Sequence, residues 1–567
     1  MKRIVWTVAV FLIGFVICLT DAQAKLPGEE NLIQKIKEVL TPAVSAPKNL
    51  PADFHPVCAT PAFVWITGHR NELSPEAQKE LSLIMPARPT YTTTEKTYNT
   101  PGGHFKIHYV TSTVDSVYQS HVVDSSGVPL YVIFIGGIAD SVWTKEVDSL
   151  GYTAPPSDLG FPGNGGDGRY DIYLKSMADG YLGYSQPEYY APPDYIGATS
   201  YIVLRNDYSL YGGNYNNYPK VTSAHEFFHA IQFGSDADEY EYVPSDPVDP
   251  FRPYWMELTA TWMEDMIYPA INDYVNYLPY FFNYPWISLK AFSSDPGNPS
   301  RYYHAYAACV WAFYLSKRFG PTAIRDIWTL CADIKGDNVL SATDDALLLK
   351  GSSLDNAFRE FSIWNYFTGS RADTVNYYAE GYRYPLVKVD PNQQYSIYPV
   401  NVASVPHPPE VLSTNYVEYV PDLTFSPDNL TFYLNGSDSA QWKASIIGYS
   451  STNPKYFTEI TLDSLRVGRA KVNNWESYSK IMMIPAVVTR TSGSFNYSYA
   501  AFKCGDANTS GNVNLADVVY LVSYLFKSGF PPIPMQSGDA NADGKTDLAD
   551  VVYLVSYLFK HGPQPCG

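Results

Sequence analysis

The sequence is short of positive charge. Its 567 residues carry 39 Lys and Arg against 57 Asp and Glu, a formal net charge of −18. Such a surface repels phosphate backbones and anionic lipid, which disfavours nucleic acid and acidic membranes as partners. Long apolar runs are also lacking. Beyond the first 24 residues no stretch is long enough to span a bilayer, so no membrane span is expected in the exported chain. Cysteine is scarce, with 6 in all. Yet the chain is not a disordered one, because its hydrophobic fraction of 46% is ordinary for folded protein. It is too long for a single core, so three or four folded units are expected.

What is present begins with an export signal. Lys2 and Arg3 are basic, Ile4 to Ile17 is nearly all apolar, and Ala22-Gln23-Ala24 supplies a small-x-small cleavage site. This predicts a signal peptide over 1–24 and a secreted or surface-associated chain beginning at Lys25. Cys18 suggests a lipoprotein, but Ile17 stands where a small residue would be needed. Loss of Cys18 leaves Cys58, Cys309, Cys331, Cys504 and Cys566, an odd number. In an oxidising compartment Cys504 and Cys566 bracket the last module and form a natural pair. Cys309 and Cys331 could bridge two helices, which leaves Cys58 alone.

Residues 25–100 read as a propeptide or an N-terminal brace. Ile33 to Leu40 has helical periodicity, and Ser74-Pro75-Glu76 looks like a helix start. A lone cysteine in a propeptide can ligate a catalytic zinc. For Cys58 that is the lesser reading. From about 101 the pattern is of strands: His104 to Tyr109, Leu130 to Ile135, Tyr170 to Leu174 and Tyr201 to Leu204. After 220 it is helical, over 221–233, 255–268, 302–318, 321–333 and 354–367. Strands followed by helices predict an α+β domain over 101–384. Short alternating runs such as Leu430 to Leu434 and Lys443 to Tyr449 predict a β-sandwich accessory domain over 385–500, with no catalytic constellation in it. The 49 Tyr residues suit a β-rich secreted fold better than a sugar-binding surface.

The end of the chain, 501–567, contains a repeat. Leu515 to Lys527 recurs unchanged as Leu548 to Lys560, 33 residues on. A polar loop precedes each copy. In the second, Asp539, Asn541, Asp543, Lys545, Asp547 and Asp550 fill loop positions 1, 3, 5, 7, 9 and 12, with Gly544 at the turn. In the first, Asp506, Asn508, Ser510, Asn512, Asn514 and Asp517 do so, with Gly511 at the turn. Calcium wants six to eight oxygens, and alternate side chains plus the carbonyl of position 7 supply them. Ser510 replaces a carboxylate and Asn514 replaces an acid, so the first site is expected to bind more weakly. A helix follows each loop and none precedes it. In loop ligands, helix and spacing the module resembles the type I dockerin family, small all-α calcium-binding domains. The resemblance implies two Ca2+ and a cohesin domain as partner. Family members choose their cohesin through loop positions 10 and 11. Both copies here carry Leu-Ala, Leu515-Ala516 and Leu548-Ala549, which implies two near-equivalent binding faces and departs from the hydroxyl pair of the best-known cellulosomal members.

The second motif is His225-Glu226-Phe227-Phe228-His229. On a helix, 225 and 229 share one face, so both imidazoles can reach one ion, and Glu226 can serve as general base. Thr222 or Ser223 is a candidate helix cap. A catalytic zinc needs a third protein ligand on a later element. In Trp255 to Asp265, the acids Glu257 and Glu264 share a face with Thr261. An acid followed three residues later by Ala260 resembles the second motif of the gluzincin metallopeptidases, which selects Glu257 as ligand and leaves Glu264 as runner-up. Residues 101–370 resemble a bacterial family of secreted metalloproteases of gluzincin type. They depart from the thermolysin pattern at Thr261, where that group has an Asp orienting a ligand His. Tyr303, His304 and Tyr306 are candidate oxyanion donors.

These readings combine into a secreted zinc endopeptidase with one Zn2+, acting on protein or peptide and tethered through the calcium module. The rivals are a polysaccharide-catabolism component, for which no pair of acids can be nominated, and a non-catalytic surface scaffold.

Overall fold

The computed structural model describes residues 25–41, 55, 57–85, 88–212, 214–246, 248–422, 424–425, 428–450 and 456–566. The expected signal peptide at 1–24 lies outside them.

The N-terminal stretch contributes two helices, α1 (Glu29–Leu40) and α2 (Pro75–Ile84). The Ser74 hydroxyl accepts the Ala77 amide and Pro75 fills the first turn, the start that the sequence signals. Next come strands β1 (Lys96–Asn99) and β2 (Phe105–Tyr109), then helix α3 (Leu130–Trp143). A strand is expected over Leu130 to Ile135, but the structure is helical there. A short unbroken apolar run carries neither a two- nor a 3.6-residue period, and here the element continues to Trp143, too long for a strand of such a sheet. Strands β3 (Tyr170–Lys175), β4 (Gly183–Tyr190) and β5 (Ala198–Arg205) complete a five-stranded sheet of order β1-β2-β3-β5-β4. The pairs β2–β3 and β3–β5 are parallel, whereas β1 and β4 run antiparallel at the two edges.

Helices α4 (Tyr218–Ser235) and α5 (Tyr254–Ile267) lie against each other, and α4 also packs on β4 and β5. Thr222 and Ser223, expected as caps, lie inside α4. The helix begins earlier because Pro219 presets the first-turn backbone. Every side chain from Val221 to Phe233 and from Tyr254 to Glu264 is buried. A helix apolar on all sides belongs inside a core, and any His or Glu it carries there needs a partner. After three helices of four residues each come four longer ones: α6 (Cys309–Phe319), α7 (Ala323–Cys331), α8 (Val339–Leu348) and α9 (Leu354–Trp364). Cys309 and Cys331 stay as separate buried thiols, so the bridge entertained between them is not formed.

From Gln394 to Phe502 two sheets form, one of six strands and one of four. They meet through contacts such as Tyr419 on Phe432 and the Tyr395–Tyr499 hydroxyl pair at 2.7 Å. The pairings are antiparallel apart from Gln394–Tyr395 with Val417–Tyr419.

The last module is two helices, α10 (Leu515–Lys527) and α11 (Leu548–Lys560), closed by the Cys504–Cys566 disulfide. Each helix starts in a capping box, Asn514 with Asp517 and Asp547 with Asp550. The copies present equal surfaces. Leu515, Val519 and Phe526 are 54, 61 and 64% exposed, and Leu548, Val552 and Phe559 are 54, 62 and 62% exposed.

Candidate metal centre and calcium loops

Helix α4 aims both motif histidines toward α5. His225 Nδ1 donates to Glu264 Oε1 at 2.7 Å, and His229 Nδ1 donates to Gln232 Oε1 at 2.7 Å. Gln232 is itself fixed, its amide donating to the Met256 carbonyl and the Thr259 hydroxyl. With each Nδ1 engaged, both Nε2 atoms face Glu257, at 3.4 Å from Oε2 for His225 and 3.3 Å from Oε1 for His229. Glu264 is thus set behind His225 and is not a fourth donor at the centre. It supplies, one turn further along α5, the orienting carboxylate missing at Thr261.

A fourth donor comes from outside both helices. Cys58 Sγ lies 3.6 Å from His229 Nε2. Ligand atoms of Cys58, His225, His229 and Glu257 all fall within 4.8 Å of one another, and all four residues are buried. This set fits a zinc ion. Tetrahedral bonds of about 2.0–2.3 Å put N and O donors about 3.3 Å apart, and S and N donors about 3.6 Å apart. The two His–Glu257 pairs at 3.4 and 3.3 Å and the Cys58–His229 pair at 3.6 Å match these values. His225 Nε2 and both Glu257 oxygens are buried without a hydrogen-bond partner, as donors awaiting a cation are. Burial opposes charge on His225, but Glu257 and Glu264 outweigh it and raise its pKa to about 10. Burial also opposes ionisation of Glu257, and the two imidazoles outweigh it and bring it down to about 2. Burial, with Glu226 and Glu257 alongside, pushes the Cys58 thiol well up. A divalent cation would take the place of the proton on His225 as the positive charge facing Glu257.

Glu226 stands beside this centre. Its Oε2 accepts from the Thr60 hydroxyl at 2.9 Å and the Ser185 hydroxyl at 3.1 Å, while Oε1 has no partner. A cavity of about 20 Å³, room for one water, is lined by Cys58, His225, Glu226, Glu264 and Tyr306 among others. Of the three candidate oxyanion donors only Tyr306 reaches it, its hydroxyl donating to the Cys58 carbonyl at 3.3 Å. Tyr303 is set apart, its hydroxyl on the backbone of His55. His304 turns away, with Nδ1 toward the Tyr280 carbonyl at 3.2 Å and its ring against Phe281. Tyr303 and His304 are therefore removed from the catalytic candidates. Three positions within one turn point in three directions, and one of them meets the site.

The sequence reading underweights Cys58 and misses Gln232, Thr60 and Ser185. Gln232 had a signal, since it lies three residues beyond His229 on the same helix face. The others come from elements far away in the chain.

In the terminal module the paired loops fold alike. Asp506 accepts the Ser510 and Gly511 amides, and Asp539 accepts those of Asp543 and Gly544. Asp517 and Asp550 reach back to the amides of Asn508 and Asn541. Gly511 and Gly544 have φ of 83° and 88°, the left-handed turn expected of them. Burial raises Asp517 to about 6, with Asp506 adding to the effect. Asn512 and Lys545 hold position 7 in each loop. A contact from outside is also present, for Arg469 Nη2 donates to Asp539 Oδ2 at 2.8 Å.

Residues 504–559 match the dockerin type I domain family. The terminal module is a dockerin, which binds calcium through its two loops and attaches its chain to a cohesin in a multi-enzyme assembly. Dockerin-bearing proteins work outside the cell or at its surface. Comparison with curated proteins finds no match. Among the described residues no helix is long and apolar enough to cross a membrane.

Proposed function

We propose that the dockerin tethers a zinc endopeptidase, whose active site is the cluster between α4 and α5. The observation that carries this reading is the convergence of His225, His229 and Glu257 at zinc-binding separations, with Glu226 and a water-sized cavity adjoining. When bound, zinc supplies Lewis acidity toward a water and a substrate carbonyl. His225, His229 and Glu257 hold it, and Glu264 and Gln232 keep the imidazoles turned to it. Glu226 accepts a proton from a water in the cavity and returns it to the departing amine nitrogen. Tyr306 donates its hydroxyl to the oxygen on which negative charge develops.

Casein hydrolysis sensitive to a zinc chelator is the first expectation. Glu226→Gln should retain zinc and lower the rate about 10²–10⁴-fold, the usual contribution of a general base. A Glu226→Gln chain as active as the unaltered one would falsify the assignment.

A further inference from the structure

Residues 57–60 meet every working part of this site at once. Cys58 Sγ completes the donor set beside His229. The Cys58 carbonyl takes the Tyr306 hydroxyl. The Thr60 hydroxyl is bound to Glu226 and accepts the Ser185 amide at 2.8 Å. The Thr60 amide in turn donates to Cys58 Sγ at 3.2 Å. The same residues cover the free edge at the start of β4. Val57 N donates to the Gly180 carbonyl, Leu182 N to the Val57 carbonyl and Ala59 N to the Gly183 carbonyl, a parallel pairing centred on Val57 and Tyr181. An uncovered strand edge is where an extended peptide docks by backbone hydrogen bonding.

A zinc centre with four protein ligands is closed, whereas a catalytic one keeps a position for water or substrate. From this we infer that the chain folds as a latent enzyme, with Cys58 as fourth metal ligand and residues 57–60 lying in the place of the substrate. Latency rests on the peptidase reading, while ligation by Cys58 does not. Full release requires the whole segment to leave, since Thr60 and the strand pairing still hold it after the thiolate lets go, whereas loss of the thiolate alone frees the fourth metal position and releases the enzyme in part. The neighbouring residues Phe63, Val64 and Trp65 are almost wholly buried, so the segment is anchored on its C-terminal side.

The test replaces zinc with cobalt in the full chain and in Cys58→Ser, and measures casein hydrolysis by both zinc forms. The unaltered chain should show the near-ultraviolet charge-transfer band of a cobalt–thiolate bond, and Cys58→Ser should lack it while binding one equivalent of metal. Casein turnover should rise at least about 10-fold in Cys58→Ser, because water then competes for the vacated position. Absence of the band from the unaltered chain overturns the inference whatever the activities. Equal, chelator-sensitive rates in the two chains overturn the latency. A band with no casein hydrolysis by either chain upholds Cys58 as ligand and overturns the peptidase reading, the centre then being structural. Should Cys58→Ser fail to fold, the cobalt spectrum of the unaltered chain still decides the ligation, since the other free thiols among the described residues, Cys309 and Cys331, lie outside the cluster.

Discussion

At the scale of the residue, the centre depends on groups that touch no substrate. Glu264 holds His225 through Nδ1 and, being buried, cannot hand that task to solvent. Replacing such an orienting carboxylate weakens metal binding by about 10–100-fold. Glu264→Ala should do so in a zinc competition assay, with Glu264→Gln recovering part of the loss, because an amide oxygen still accepts from Nδ1. An unchanged zinc affinity in both variants would show that His225 is oriented by packing alone. His225, Glu226 and His229 are legible in the sequence because they sit within one helix, where spacing fixes direction, while Glu257 is nominated through resemblance to a second helical motif. Glu264 is legible as a member of the same face and not as an orienter, since spacing along a helix does not tell which ring nitrogen it meets. Cys58 is separated from His229 by 171 residues, and no periodicity connects them.

At the scale of the element, the long amphipathic or wholly apolar helices and the alternating strands of the sandwich are visible in the pattern. The failures fall where an apolar run is short, as at Leu130 to Ile135, or where a helix carries mixed residues, as in α8. His304 belongs to this scale, because it joins the turn before α6 to Tyr280 and Phe281. Burial lowers its pKa from 6.5 to about 4. The unfolded chain takes up the proton first, so stability falls as pH drops from 6.5 toward 4. The loss reaches about 3 kcal/mol at about 1.4 kcal/mol per unit. His304→Gln, which keeps a donor toward Tyr280, should reduce the fall in melting temperature between pH 7 and 4.5. An identical acid profile would remove His304 from the account. The calcium loops are elements too. Ser510 in place of a carboxylate makes the first loop the weaker on charge count. Arg469 works the other way, since it sits on Asp539 of the second loop and must be displaced or shared when calcium binds. Calorimetric titration should give two steps. Arg469→Ala should tighten the second-loop site several-fold and leave the first unchanged. If the substitution tightens both loops equally, the arginine acts through net charge and not through Asp539.

At the scale of the whole molecule, the proposed function gives attachment to the calcium loops and chemistry to the metal cluster, and among the described residues no shared ligand joins them. Calcium removal should abolish cohesin binding while leaving the first centre's metal content intact. Zinc chelation should do the reverse. Measuring both ions together with cohesin binding after each treatment checks the separation, and loss of both functions with either chelator would contradict it.

The equal exposure of Leu515, Val519 and Phe526 with Leu548, Val552 and Phe559 has a consequence for assembly. A partner that recognises one stripe finds an equivalent stripe on the same module. The bound state is then doubly degenerate, which contributes about 0.4 kcal/mol through its entropy alone. More important is geometry: one scaffold position can hold the same cargo through either stripe, in two different orientations. In a crowded array of tethered units, a neighbour that blocks one orientation leaves the second open, so a vacancy can be filled without reordering the units already in place.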